Sequence, residues 1–123
     1  MTDMETVLAA ARTSSSNWKA AFNRGDAAGC AKAYAVDATM TAEPFGTFFG
    51  REAIEGFWQQ IIDQGYSDVE YIDPEMTVLD DRTVLLKSGW RMNKAHGVIT
   101  KELWVLQPDG TALLTEDAFE VQG

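Results

Sequence analysis

The chain predicts an α+β domain in which three N-terminal helices pack on a curved antiparallel or mixed sheet. Apolar residues recur at helical spacing through the first half, and from Tyr66 onward the period changes to two. Helices first and a meander of strands afterwards is not the alternation of a parallel βαβ fold. With 123 residues, 46% of them apolar, the chain can bury one core, so residues 1–123 read as a single domain.

The first helix opens on a capping box, Thr2 with Glu5, and continues through Val7, Ala11, Trp18 and Phe22, with Ser14 and Ser15 as a softer middle turn. Gly25 suits the left-handed position past its end, and Asp26 suits the cap of a short second helix over 27–34. An extended segment over 39–43 stops at Pro44, and 45–50 reads as an aromatic-rich loop. Ile54, Phe57, Trp58, Ile61 and Ile62 then mark the clearest helix, closed by Gly65.

Residues 69–72 and 76–79 read as one strand or two short ones, divided at Pro74. Turns at 80–82, 93–97 and 108–110 separate strands over 83–92, 98–106 and 111–121. In the strand from Val98 to Leu106, strict alternation places Val98, Glu102, Trp104 and Leu106 on one face and Ile99, Leu103 and Val105 on the other. Both faces are apolar. The helices cover one, and a second subunit is expected on the other, making a homodimer.

A net charge of −9 repels phosphate backbones and anionic lipid, so neither nucleic acid nor a membrane is an expected partner. The expected partner is a small apolar or neutral organic ligand. No apolar run reaches the roughly 20 residues of a membrane helix, and the acidic start lacks a signal-peptide core; both predict a cytoplasmic protein. One cysteine and one histidine cannot make an internal disulfide or a zinc site, and Cys30 reads as a small buried hydrophobe. Phosphate-binding loops, nucleophile elbows and dinucleotide glycine fingerprints are absent, and no metal or organic cofactor is expected.

Several motifs, in order, resemble the NTF2-like superfamily, in particular its ketosteroid isomerase and SnoaL-like (polyketide cyclase-type) branches. They are residues 22–26 (FNRGD), 34–39 (YAVDAT), 44–46 (PFG), 50–54 (GREAI) with Phe57-Trp58, and 104–110 (WVLQPDG). The resemblance spans nearly the whole chain. It implies a cone-shaped fold with a pocket between helices and sheet, in a superfold that hosts isomerases, dehydratases, hydrolases, cyclases and binding modules.

Carried onto this chain, the resemblance puts Glu43, just before Pro44-Phe45-Gly46, where ketosteroid isomerases keep their catalytic base. Glu102 falls where they keep a protonated aspartate, and Asp117 where SnoaL-like enzymes carry an acid/base residue. Trp18 stands in place of the first-helix tyrosine that donates to the substrate oxygen. Trp18, Phe22, Met40, Trp58, Trp90, Trp104 and Phe119 are the candidate pocket lining. His96 reads as an exposed turn residue, and Tyr34 as a packing residue. Two readings stand: an acid–base isomerase or lyase acting on an apolar carbonyl compound, and a non-catalytic ligand-binding or dimerising module on the same cone.

Overall fold

The computed structural model describes residues 4–123, so Thr2 of the expected capping box lies outside the described residues. In chain order the elements are α1 (Met4–Asn23), α2 (Ala27–Lys32), β1 (Tyr34–Glu43), β2 (Gly46–Phe49), α3 (Arg51–Asp63), β3 (Glu70–Val78), β4 (Thr83–Arg91), β5 (His96–Leu106) and β6 (Ala112–Val121). The six strands form one sheet in the order β2-β1-β6-β5-β4-β3. Only β1 and β6 run parallel, because the chain returns to the sheet's middle after its excursion along β3, β4 and β5.

Val7, Ala11, Ser15, Trp18 and Phe22 make one buried stripe on α1, and the helix runs unbroken through Ser14 and Ser15. The expected softening there is corrected: Ser15 is buried, and the Ser14 hydroxyl accepts the Ala112 N–H at 3.3 Å. Gly25 takes φ 77°, and Asp26 caps α2 by accepting the Gly29 N–H at 2.9 Å. The second helix stops at Lys32, shorter than its apolar pattern implies, and Tyr34 is already in β1.

Residues 46–49 form β2, paired with β1 as a hairpin, where the sequence reads as a loop. Pro44 and Gly46 mark the hairpin's turn rather than the end of pairing. At the opposite edge, β3 is one strand with an irregularity between Ile72 and Glu75, where Asp73 adopts φ 52° beside Pro74.

The helices pack on one face of the sheet. Asn23 anchors the end of α1 to the entry of β3, its side chain accepting the Val69 N–H at 2.7 Å and donating to the Val69 carbonyl at 3.3 Å. Arg51 of α3 donates twice to the Tyr34 carbonyl, at 3.0 and 2.6 Å, tying that helix to the start of β1. The outer face carries the half-buried Leu85, Leu103, Val105 and Leu113, interrupted by a Lys101–Glu116 ion pair. No described helix is long and apolar enough to cross a membrane.

Two bulges decide which side chains face the helices. In β5 the pairing slips between Ile99 and Lys101, and in β6 it slips across Thr115. Inward residues are therefore Gly97 and Ile99, then Glu102, Trp104 and Leu106 on β5, and Leu114, then Asp117 and Phe119 on β6. The strict alternation predicted from Val98 is corrected: Ile99, not Val98, shares the face of Glu102. Each bulge makes the inward spacing three residues instead of two, and each turns one carboxylate inward.

Candidate functional site

Between the sheet's inner face and the helices lies a cavity of about 380 Å³. Aromatic rings from two helices and two strands wall it: Trp18 from α1, Phe57 and Trp58 from α3, Trp90 from β4 and Phe119 from β6. The rings pack in a chain. Trp18 meets Trp58 edge-on at 5.0 Å, Trp58 stacks on Phe119 at 5.7 Å, and Phe119 meets Trp90 edge-on at 6.3 Å. Among the described residues, only two charged ones reach this lining, Glu102 and Asp117.

Glu102 and Asp117 are directly opposite each other on β5 and β6, and both are almost fully buried, 6% and 5% exposed. Met40 on β1 and Leu86 on β4 flank them at the same level of the sheet, both fully buried. Each acid has its own donor. The Tyr34 hydroxyl donates to Asp117 Oδ2 at 2.6 Å and in turn accepts the Trp58 indole N–H at 3.3 Å. The Trp104 indole N–H donates to Glu102 Oε1 at 2.9 Å. Asp117 Oδ1 has no partner among the described residues.

Two carboxyls buried side by side cannot both ionise cheaply. Burial pushes the Asp117 pKa up to about 7, against the opposing pull of the Tyr34 hydrogen bond. Glu102 is held well above its ordinary value by burial and then by the neighbouring Asp117 charge, with the Trp104 bond acting the other way. Glu102 is therefore the carboxyl that keeps its proton more firmly, and Asp117, whose anion the Tyr34 hydroxyl stabilises, is the one that ionises first, near pH 7. Tyr34 itself is pushed well above its ordinary pKa, by burial first and by Asp117 second, so it stays a donor. Tyr71 also lines the cavity; burial and the Glu102 charge raise its pKa in the same direction.

The other expected residues separate clearly. Glu43 is exposed: inward positions on β1 fall at Ala38, Met40 and Ala42, which turns Glu43 outward. It does not line the cavity, which corrects the expectation that it stands where a catalytic base would. Trp18, Trp58, Trp90 and Phe119 line the cavity. Phe22, Met40 and Trp104 do not; they belong to the packed core, although Trp104 touches Glu102. His96 is exposed, and so is Arg91, which pairs with Glu70 at 2.9 Å. Cys30 is buried, and desolvation holds its thiol up at about 12, which keeps it protonated. No cluster able to ligate a metal occurs among the described residues.

Tyr34 is the residue that sequence reading undervalues. It lies 83 positions from Asp117, and nothing local announces the contact. The available signal was indirect: a fully buried tyrosine must find a partner for its hydroxyl.

No curated protein sequence matches this chain. Its fold is similar to a ketosteroid isomerase-like protein from Erwinia carotovora atroseptica, at 13% identity over 94% of this chain and 96% of that one, with a TM-score of 0.80. It is also similar to ActVI-ORFA from Streptomyces coelicolor, at 12% identity over 94% and 97% of the two chains, with a TM-score of 0.76. A domain with a cystatin-like fold from Nostoc punctiforme matches at 16% identity over 98% and 80%, with a TM-score of 0.82. At these identities the likeness shows a shared fold. The model of the SnoaL-like domain, however, matches residues 16–115, and by that match the chain belongs to the SnoaL-like domain family.

Proposed function

We propose that the cavity is the active site of an acid–base enzyme acting on an uncharged carbonyl compound, with Asp117 as base and Glu102 as acid. One observation carries the proposal: two buried carboxyls on neighbouring strands face one apolar cavity, and the free oxygen of the anionic one, Asp117 Oδ1, has no protein partner.

In this reading Asp117 Oδ1 takes a proton from a carbon next to the carbonyl. The C–H electron pair becomes the enol double bond, and the carbonyl oxygen takes the Glu102 proton. Where the carbonyl compound carries a C=C bond one carbon further along, the enol is a dienol: its outer carbon takes the Asp117 proton, the C=C moves beside the carbonyl and the enol O–H returns its proton to Glu102, so every proton and electron pair is accounted for. A base of pKa near 7 matches this task, since it is substantially ionised at neutral pH and still basic. The side chains alone supply the step.

The test is deuterium uptake from D2O into the methyl groups of 1,4-diacetylbenzene, followed by NMR. Wild-type protein is expected to accelerate the uptake, and Asp117→Asn to remove that acceleration while the probe still binds. Unchanged exchange in Asp117→Asn would contradict the assignment. If wild type binds the probe without exchange, the second reading, a ligand-binding module on the same cavity, takes its place. The proposal also gives the outer sheet face, with Leu103, Val105 and Leu113, to a second copy of the chain; sedimentation of a single monomeric species at micromolar concentration would oppose that part.

A further inference from the structure

Asp117 Oδ1 is not alone. Among the described residues, two more buried side-chain atoms have no hydrogen-bond partner, Trp18 Nε1 and Trp90 Nε1, and both residues line the same cavity. The acid–base reading uses neither. An indole N–H can only donate, and a buried donor left unpaired is costly to a fold.

The chain's four tryptophans thus divide by what their N–H groups do. Those of Trp58 and Trp104 build the carboxyl pair, bonding to Tyr34 and Glu102. Those of Trp18 and Trp90 are spare, although the two side chains are only 7% and 5% exposed.

The two spare donors stand on different walls. Trp18 belongs to α1, held edge-on against Trp58. Trp90 belongs to β4, four residues along the strand from Leu86, which pairs with Glu102; that separation is about 13 Å of extended backbone. Its cross-strand partner is Gly97, where a Cβ would run into the Glu120 carbonyl first and would also come within 2.7 Å of Trp90 Cζ2. The close approach of β6 requires the glycine, and the same lack of a side chain lets the Trp90 indole lie against β5.

We propose that Trp18 and Trp90 are the ligand-recognition donors of the cavity, selecting an uncharged molecule that carries two acceptor oxygens set apart on one apolar framework. An apolar framework suits the aromatic walls, and an uncharged one avoids the Asp117 anion. This inference rests on the cavity being the ligand site, and not on Asp117 acting as a base.

The test is equilibrium binding, which does not require turnover and so separates this inference from the acid–base reading. Three probes of nearly equal shape carry two, one and no acceptor oxygens: 1,4-diacetylbenzene, 4-ethylacetophenone and 1,4-diethylbenzene. Calorimetry on wild type, Trp18→Phe, Trp90→Phe and the double variant is expected to show about tenfold weaker diketone binding for each lost indole, with diethylbenzene changed by about twofold or less. Equal losses for diketone and hydrocarbon would overturn the proposal, as would no loss for either. Where a variant fails to fold, the indole N–H resonances of 15N-labelled wild type give the answer. Those of Trp18 and Trp90 are expected to move downfield with 1,4-diacetylbenzene and not with 1,4-diethylbenzene. Resonances that stay in place with bound diketone, or a wild type that binds no diketone, would also overturn it.

Discussion

Two regions of this protein place a carboxylate on a strand beside aromatic residues, and they differ in everything that gives a carboxylate chemistry. At the end of β1, Glu43 stands next to Pro44 and Phe45, exposed, at an outward position. On β6, Asp117 is buried, holds the Tyr34 hydroxyl at 2.6 Å and faces Glu102 on the next strand. Sequence similarity favours the first region and physical chemistry favours the second. Burial moves both carboxyls of the Asp117–Glu102 pair toward neutral pKa, and the Asp117 charge raises Glu102 further.

The contrast can be broken one residue at a time. The largest expected effect is Asp117→Asn, which should lower carbonyl exchange about 10³-fold or more, because the base itself is lost. Glu102→Gln should follow with a loss of about 10²-fold, because an amide still donates a hydrogen bond but cannot deliver a proton. A rate in Glu102→Gln equal to wild type would remove Glu102 from the chemistry.

Tyr34→Phe should act on the pH profile more than on the maximal rate. The lost hydrogen bond had been lowering the Asp117 pKa, so that pKa should rise from about 7 by roughly one unit, carrying the acid limb of the pH–rate curve with it. Activity should then fall most at pH 6–7 and recover toward pH 9. An unmoved acid limb would mean that the Tyr34–Asp117 contact does not set the base.

Stability offers an independent check. The Asp117 pKa is about 7 in the fold against an ordinary 3.8, so between those values the folded state keeps a proton that the unfolded chain has lost. Stability from this group is therefore full below about pH 4 and declines as pH rises toward 7. Asp117→Asn carries no such charge and should gain on wild type between pH 5 and pH 8, with about 3 kcal/mol as the ceiling. Denaturant unfolding at the two pH values measures it. The smallest expected effect is at the other region: Glu43→Gln should leave exchange within about twofold of wild type.

Much of the fold was legible because it depends on periodicity. The stripes of α1 and α3, the Gly25–Asp26 punctuation and the order of the last three strands follow from apolar spacing and turn chemistry. The inner face of the sheet was not fully legible, because the bulges at Thr100 and Thr115 have no local signature, and each inverts the alternation beyond it. Glu102 shares the inner face with Trp104, with which it alternates, whereas Ile99 was placed on the wrong face. Tyr34 was hidden for another reason: its role depends on a contact between β1 and β6, the first and last strands in chain order, which one-dimensional patterns do not encode. The hairpin at Pro44 misled through analogy, since a motif carries a residue's place in the chain but not the direction its side chain points.

The central claim is that Asp117 gives up its proton near pH 7, as a base needs to, while Glu102 keeps its own. Carbon-13 NMR of the side-chain carboxyls tests it directly, with assignments from Asp117→Asn and Glu102→Gln. The Asp117 signal should titrate near pH 7, while Glu102 remains protonated there. Two carboxyls both ionised at pH 5.5 would contradict the account.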